Sequence, residues 1–388
     1  MVFLLSAGEA SGDTYGAQLV EALRRLAPDA AFFGMGGEKM RAAECELLID
    51  AREVAVVGLA EVVTHLPGIY RRFHRFVAEA AKRKPDAAVL IDFPEFNLRL
   101  ARELHRLNIP VFYFVSPQIW AWRSGRVKQI KKYVREMIVI FPFEQEFYKQ
   151  HGVEVRYVGH PLAHTAVPEI SRADFATRFQ LDPAKAWIGL LPGSRRKEVR
   201  LNLPAMLQAA RLLRDQGNAY EYVLPVASTL DTDWVRQQIA SMPVKIDITL
   251  TDNSRATLKH CRAAVVASGT ATVEAALAGT PFVVVYRLAR LTWLLGRRLV
   301  RLDTFAMPNL IAGRKIVPEL IQQNFTAENI LHELAGIIPE GPKRQQMLSD
   351  LRDVQERLRD PGDGQPPAVR AALAITESLA AARPKSVI

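Results

Sequence analysis

Several carboxylates and several basic or hydroxylated turns stand directly behind apolar runs in this chain. Asp92 closes the run Ala87-Ala88-Val89-Leu90-Ile91, which reads as a buried strand. Open parallel sheets place ligands beyond the carboxyl ends of their strands. A carboxylate there can take a proton from a hydroxyl nucleophile; equally, Asp92 can cap a helix starting near Asn97. Glu9 and Asp13 belong to Gly8-Glu9-Ala10-Ser11-Gly12-Asp13, behind the strand Val2-Phe3-Leu4-Leu5-Ser6-Ala7. Its glycines are not spaced as a dinucleotide fingerprint, and two acids would repel a pyrophosphate, so this loop suits hydroxyl groups better than phosphates. His160, alone at a strand end, reads as structural.

The second half carries the opposite chemistry. Pro192-Gly193-Ser194-Arg195-Arg196-Lys197 follows Trp187-Ile188-Gly189-Leu190-Leu191, and a glycine turn with two arginines and a lysine at a strand end is suited to a diphosphate. Ala263-Ala264-Val265-Val266-Ala267 leads into Ser268-Gly269-Thr270-Ala271-Thr272 and a helix closed by Gly279 and Pro281. Free N–H groups and hydroxyls at the positive end of a helix make a phosphate site. Glu274, placed in the first helical turn, can accept from a ribose or simply offset the helix dipole. Asp231-Thr232-Asp233 has the literal form of a metal-binding Asp-x-Asp, but it precedes a helix at Trp234, so capping accounts for it better.

Two α/β series must position these groups, each opening on a strand and a glycine turn. The chain has 388 residues, 49% hydrophobic and 24% charged, enough for two to three domains; the boundaries read as 1–165, 166–340 and a helical tail 341–388. Further strands are expected at residues 31–33, 111–115, 137–141, 155–158, 222–224, 246–250 and 282–286, with a second glycine loop at 34–37 and a helix at 204–213. Two cysteines, Cys45 and Cys261, suggest neither a disulfide scaffold nor a cysteine-rich metal site. The N-terminus shows no leader pattern, and the low-charge run 263–286 is broken by Gly269, Gly279 and Pro281, so a membrane span is not expected there. A cytoplasmic protein follows.

The net charge of +10 favours acidic partners. Residues 69–84 form an amphipathic helix with Phe73 on its apolar side, and residues 287–302 another, with Arg297 and Arg298 among clustered arginines and Trp293 among the apolar residues. Either is a membrane-surface helix or an ordinary solvated one. Trp120, Trp122 and Arg123, in Ser116-Pro117-Gln118-Ile119-Trp120-Ala121-Trp122-Arg123, suit a sugar or acyl surface, or packing against the sheet. Pro308-Asn309-Leu310 and Val317-Pro318-Glu319-Leu320 look like loops walling a pocket.

These segments together, in this order over residues 7 to about 323, resemble the lipid-A-disaccharide synthase family. The resemblance implies a GT-B glycosyltransferase, two Rossmann-like α/β domains facing a cleft, with C-terminal helices returning to the first domain or to a partner subunit. It implies transfer of glucosamine from UDP-2,3-diacylglucosamine to 2,3-diacylglucosamine 1-phosphate, forming a β-1,6 disaccharide and UDP without metal or cofactor. Asp92 is then the base, with Glu9 or Asp13 in reserve. Ser194, Arg195, Arg196, Ser268, Gly269, Thr270, Ala271, Thr272, Glu274, Asn309 and Gln323 serve the UDP side, Arg195 ahead of Arg196 on the diphosphate. Ser11, Asn97, Trp120, Trp122 and Arg123 serve the acceptor side. A histidine, His164, stands where family members often carry an acid, so that region receives no role. Peripheral contact with anionic lipid on the inner face of the cytoplasmic membrane, no nucleic acid, and room for a homodimer complete the expectation. The rivals are a UDP-N-acetylglucosamine epimerase, a cell-wall glucosaminyltransferase, or a basic non-catalytic binder of nucleic acid or membrane. The acidic first loop and the tryptophan segment weigh against the first two, and the lack of aromatics interleaved with arginines along one groove weighs against the last.

Overall fold

Alternation along the first strand sets the core of the first half. In β1 (Val2–Ala7), Phe3, Leu5 and Ala7 join one apolar cluster and Leu4 joins another, so the sheet is buried on both faces. The computed structural model describes residues 1–54, 59–120, 124–165, 170–217, 219–287, 304–359 and 364–381, with backbone alone for 59–66 and 124. β2 (Ala31–Gly36), β3 (Glu46–Asp50), β4 (Ala87–Ile91), β5 (Val111–Phe114), β6 (Glu136–Val139) and β7 (Val155–Tyr157) complete a seven-stranded sheet of order β3-β2-β1-β4-β5-β6-β7. All its pairs are parallel. The second sheet contains β8 (Trp187–Leu191), β9 (Glu221–Pro225), β10 (Ile248–Thr251), β11 (Ala263–Ala267), β12 (Phe282–Tyr286) and β13 (Glu319–Ile321), in the order β10-β9-β8-β11-β12-β13 and again parallel. Both orders reverse beside the first strand of their unit, at β1/β4 and at β8/β11. Such switch points open a crevice at the strands' carboxyl ends.

The chain divides into two units, Met1–His164 with Leu358–Ile388, and Thr165–Arg357. The second unit thus runs past residue 340, and the helix Pro342–Arg359 lies almost wholly in it. The last helix, Pro367–Ala381, packs on Ala10–Leu26 in the first unit, where Ala371, Ile375 and Leu379 share a cluster with Leu19, Val20 and Leu23. Arg370, buried, donates from Nη1 to the Val158 carbonyl at 3.0 Å and ties this helix to the end of β7.

Several expected elements shift. Residues 34–36 are strand rather than loop, because the ladder to β1 continues through Leu5↔Gly34 and Ser6↔Met35. The helix expected at 69–84 spans Leu59–Arg83 and carries Pro67 inside it. The helix expected from Pro204 begins at Arg196, since the Glu198 carboxylate reaches back to the N–H groups of Ser194 and Arg195 and organises its first turn. The segments read as pocket-wall loops are a short helix, Met307–Ala312, and the edge strand β13. Asp231 accepts from the Trp234 N–H at 2.7 Å and Asp233 pairs with Arg236 at 2.5 Å, so this Asp-x-Asp is a helix cap.

Candidate active site

In the first unit, the β1/β4 switch point gathers Glu9 and Asp92. Glu9 is the exposed residue preceding the helix Ala10–Leu26, and Asp92 follows β4 directly. Gly8 lets the two loops meet: a Cβ there would lie 2.3 Å from the Phe93 ring. The backbone at Asp92 is strained. Asp92 and Phe93 hold φ of 45° and 49°, and Val115, after the neighbouring β5, holds 65°. Left-handed conformations at non-glycine residues cost on the order of 1–3 kcal/mol each and persist only where the surroundings fix them.

The fixing groups are visible. The Asp92 carbonyl accepts from Asn97 Nδ2 at 2.8 Å and from the Tyr113 hydroxyl at 2.6 Å, and its N–H donates to the Phe114 carbonyl at 3.2 Å. Asn97 also donates to the Ser6 and Ile91 carbonyls and accepts from the Ser6 hydroxyl at 2.6 Å. At about 1 kcal/mol net for each buried hydrogen bond, this clamp is of the size needed to offset the strain.

Asp92 is half-buried as a residue, and the protein around its carboxyl pushes the pKa from 3.8 up to about 7, chiefly by burial and then by the negative charge of Glu9, against a smaller opposing hydrogen bond from the Phe93 backbone. A carboxylate that ionises near neutrality is matched to removing a hydroxyl proton.

Two residues expected to act on substrate are committed elsewhere. Asp13 is buried, and its carboxylate accepts from the N–H groups of Gly37, Lys39 and Met40 at 2.7, 3.0 and 3.0 Å. It caps the short helix Glu38–Ala42 rather than waiting as a base. Asn97 is fully buried with its amide spent, so it holds Asp92 in place and does not face an acceptor. Ser11 lies half-buried in the first turn of Ala10–Leu26. Trp120 donates its indole N–H to Glu144 at 3.3 Å. Trp122 and Arg123 lie outside the described residues. Phe73 packs edge-on to Phe96 at 5.2 Å and against the core, whereas Tyr70 of the same helix is exposed, 66% accessible.

In the second unit, the ends of β8, β11 and β12 converge. Ser194 and Arg195 are exposed on the turn after β8. Arg195 Nη1 donates to Glu198 at 3.0 Å, while the Arg196 guanidinium lies 5.2 Å from the centre of the Trp234 ring. Thr229 donates its hydroxyl to the Ser194 carbonyl at 2.6 Å and braces the turn. Tyr286, ending β12, has its phenol raised by burial and by Glu198, with Arg195 opposing. After β11, Gly269 is the N-cap at φ 142°, and no side chain caps the helix Thr270–Ala278. Its first N–H groups therefore point out from the positive end of the helix, next to the Arg195 turn across the β8–β11 ladder. Glu274 falls one turn deeper than its sequence position suggested, because the helix starts at Thr270. It is half-buried, its pKa raised by burial and countered by a 2.7 Å bond from the Ser254 hydroxyl and by Arg255.

Asn309 is not open to a nucleotide. It is buried; Nδ2 donates to the Val317 carbonyl and to Glu319 at 3.0 and 2.7 Å, and Oδ1 accepts from the Ile316 and Val317 N–H groups. Gln323 is exposed in the short helical turn Gln322–Asn324. Arg287 donates to the Phe325 carbonyl and stacks over that ring, while Trp293, Arg297 and Arg298 lie outside the described residues. Sequence reasoning missed Tyr113, Glu144, Glu198, Thr229, Ser254 and Glu319. Of these, Glu144 and Glu198 had a local signal, each an acid three residues into a helix that follows a strand end.

A family model described as Lipid-A-disaccharide synthetase matches residues 3–363. The chain belongs to that family. A lipid-A-disaccharide synthase of Koribacter versatilis (strain Ellin345) is 56% identical over 373 residues, covering 96% of this chain and 97% of the relative. Another, of Solibacter usitatus (strain Ellin6076), is 43% identical over 377 residues, with 97% of each chain covered. Among solved structures, the calicheamicin glycosyltransferase CalG4 matches with a TM-score of 0.61 at 17% identity, over 99% of each chain. The UDP-GlcNAc 2-epimerase from Neisseria meningitidis bound to UDP-GlcNAc matches with a TM-score of 0.62 at 12% identity, over 98% of this chain and all of the other. These structural likenesses show the GT-B fold class, two Rossmann-like units, and nothing finer, since a glycosyltransferase and an epimerase both match. The sequence matches separate the two and favour neither the epimerase nor the nucleic-acid reading for this member of the lipid-A-disaccharide synthetase family.

Proposed function

We propose that the chain joins UDP-2,3-diacylglucosamine to 2,3-diacylglucosamine 1-phosphate, with Asp92 removing the proton of the attacking hydroxyl. Family membership supports the reaction, and the observation that carries the role is a carboxylate at the β4 end whose pKa is lifted to about 7. The hydroxyl oxygen attacks the anomeric carbon on the face opposite UDP, its proton passes to Asp92, and the bond to the UDP oxygen breaks with inversion. Negative charge growing on the departing diphosphate is met by Arg195, by the Ser194 turn, and by the N–H groups of Gly269, Thr270 and Ala271 inside the Ser268–Thr272 turn. Because Glu198 now occupies the Ser194 and Arg195 N–H groups, a bound diphosphate competes with it for them. Glu274, presented by Ser254, takes the ribose, and exposed Gln323 borders the nucleotide.

Among the described residues, no helix is long and apolar enough to cross a membrane. Acylated substrates then require contact with the lipid surface, and the helix Leu59–Arg83, with exposed Tyr70, Arg71 and Arg75, is suited to anionic lipid on the inner face of the cytoplasmic membrane. Incubating the protein with both acylated substrates and weighing the products by mass spectrometry tests the reaction. Disaccharide 1-phosphate and UDP in equal amounts are expected; release of UDP without disaccharide would overturn it.

A further inference from the structure

The segment Ser116-Pro117-Gln118-Ile119-Trp120 leaves the carboxyl end of β5, the strand paired with β4 through Ile91↔Phe114, and so emerges beside Asp92. Beneath it sits Glu144, only 1% exposed, in the first turn of the helix Pro142–Gln150. Glu144 Oε2 accepts from the Phe141 N–H at 3.1 Å, and Oε1 accepts from the Trp120 indole at 3.3 Å. The Ser116 hydroxyl donates to the Pro117 carbonyl at 3.0 Å and lies 2.8 Å from the Tyr148 hydroxyl, itself buried. The Trp120 ring stands edge-on to Phe143 at 5.0 Å and 88°, and keeps one part in solvent.

Capping one N–H explains little of this arrangement. An exposed acid three residues into a helix does that without leaving water, whereas burying a carboxyl is costly and is tolerated when its bonds fix something. What these bonds fix is the Trp120 end of the segment after β5, against the turn that starts the helix Pro142–Gln150. We infer that Glu144 is a positioning residue for the sugar acceptor: it holds Trp120 so that the indole forms a rigid wall of the acceptor site on the first unit. The inference rests on the glycosyl-transfer reading above and deepens it. A planar aromatic wall beside the base favours a pyranose stacked by its apolar face, with the attacking hydroxyl turned to Asp92.

Burial raises the Glu144 carboxyl to about 8, and Gln is its nearest uncharged replacement, keeping a carbonyl for the indole N–H while giving up the acceptor for the Phe141 N–H. Steady-state kinetics with each substrate varied in turn test the role. Glu144→Ala is expected to raise the acceptor KM about tenfold while the donor KM stays within about twofold, and Glu144→Gln is expected to restore the acceptor KM. Trp120→Phe keeps the ring and removes the N–H, so it provides the same comparison should Glu144→Ala fail to fold. It is expected to raise the acceptor KM severalfold and to add nothing in the Glu144→Ala background. Equal losses on donor and acceptor, a lowered melting midpoint with an unchanged acceptor KM, or additive effects of the two substitutions would overturn the inference. A wild-type protein that forms no disaccharide would overturn the functional reading and this inference together; a wild type that turns over beside acceptor-insensitive variants overturns this inference alone.

Discussion

Replacing Asp92 by Asn removes one negative charge and leaves the shape of the side chain almost unchanged, so its consequences for stability and for turnover can be separated. A carboxyl raised from 3.8 to about 7 means that the folded protein holds this proton more tightly than the unfolded chain. Between about pH 4 and pH 7 the native state keeps the proton while the unfolded state has lost it. Stability therefore falls as pH rises through that window and levels off above it. At about 1.36 kcal/mol per pKa unit, the rise corresponds to roughly 4 kcal/mol. The amide introduced by Asp92→Asn does not titrate, so the variant escapes the loss. Near pH 4 the two proteins are expected to be about equally stable, and at pH 8 the variant is expected to be more stable by up to about 4 kcal/mol.

Activity moves the other way. Turnover of the wild type is expected to rise about tenfold per pH unit below 7 and to flatten above it, because only the ionised carboxylate accepts the proton. Removing a general base costs about 10²–10⁴-fold in rate, while UDP affinity, which the proposed function assigns to the second unit, is expected to remain within about twofold. Urea denaturation of both proteins at pH 4.5, 6 and 8, with pH–rate profiles, reads both effects. Parallel stability curves for wild type and variant would refute the buried-carboxyl argument. Turnover by Asp92→Asn near the wild-type rate would remove Asp92 as the base, whatever the stability curves show.

Glu9→Gln removes a negative charge that helps to raise Asp92, so the kinetic pKa is expected to fall by about half a unit with the plateau rate retained; an unmoved profile would leave burial as the sole cause. Arg195→Ala is expected to weaken UDP binding about tenfold by calorimetry, while Arg196→Ala, whose guanidinium lies over Trp234, changes it by less than about threefold; the reverse order would transfer the diphosphate contact to Arg196. Asn309→Ala breaks a clamp of four hydrogen bonds, so a loss of about 3 kcal/mol in denaturation is expected, and a stable variant that has lost only UDP affinity would show a direct nucleotide contact instead.

The parts of this molecule that sequence could reveal are those set by neighbours along the chain. Apolar runs such as Ala87–Ile91 and Ala263–Ala267 are strands because both faces of a parallel sheet are buried, and the composition of the run says so directly. The residue after such a run stands at the strand's carboxyl end for the same reason, which is why the placement of Asp92 and Ser268 at strand ends was legible. What was not legible is which polar side chain turns inward. Asp13, Asn97 and Asn309 have the same types and nearly the same spacing as residues that meet substrate, yet each is consumed by backbone groups brought from 24 to 91 positions away or from an adjacent turn. The strain at Asp92 shows why such residues exist. A carboxylate pushed out on a left-handed backbone stays there only if its own carbonyl is held, and Asn97 and Tyr113 hold it from the next helix and the next strand. A motif therefore contains two populations, the group that acts and the groups that keep it from relaxing, and only the three-dimensional hydrogen-bond pattern divides them.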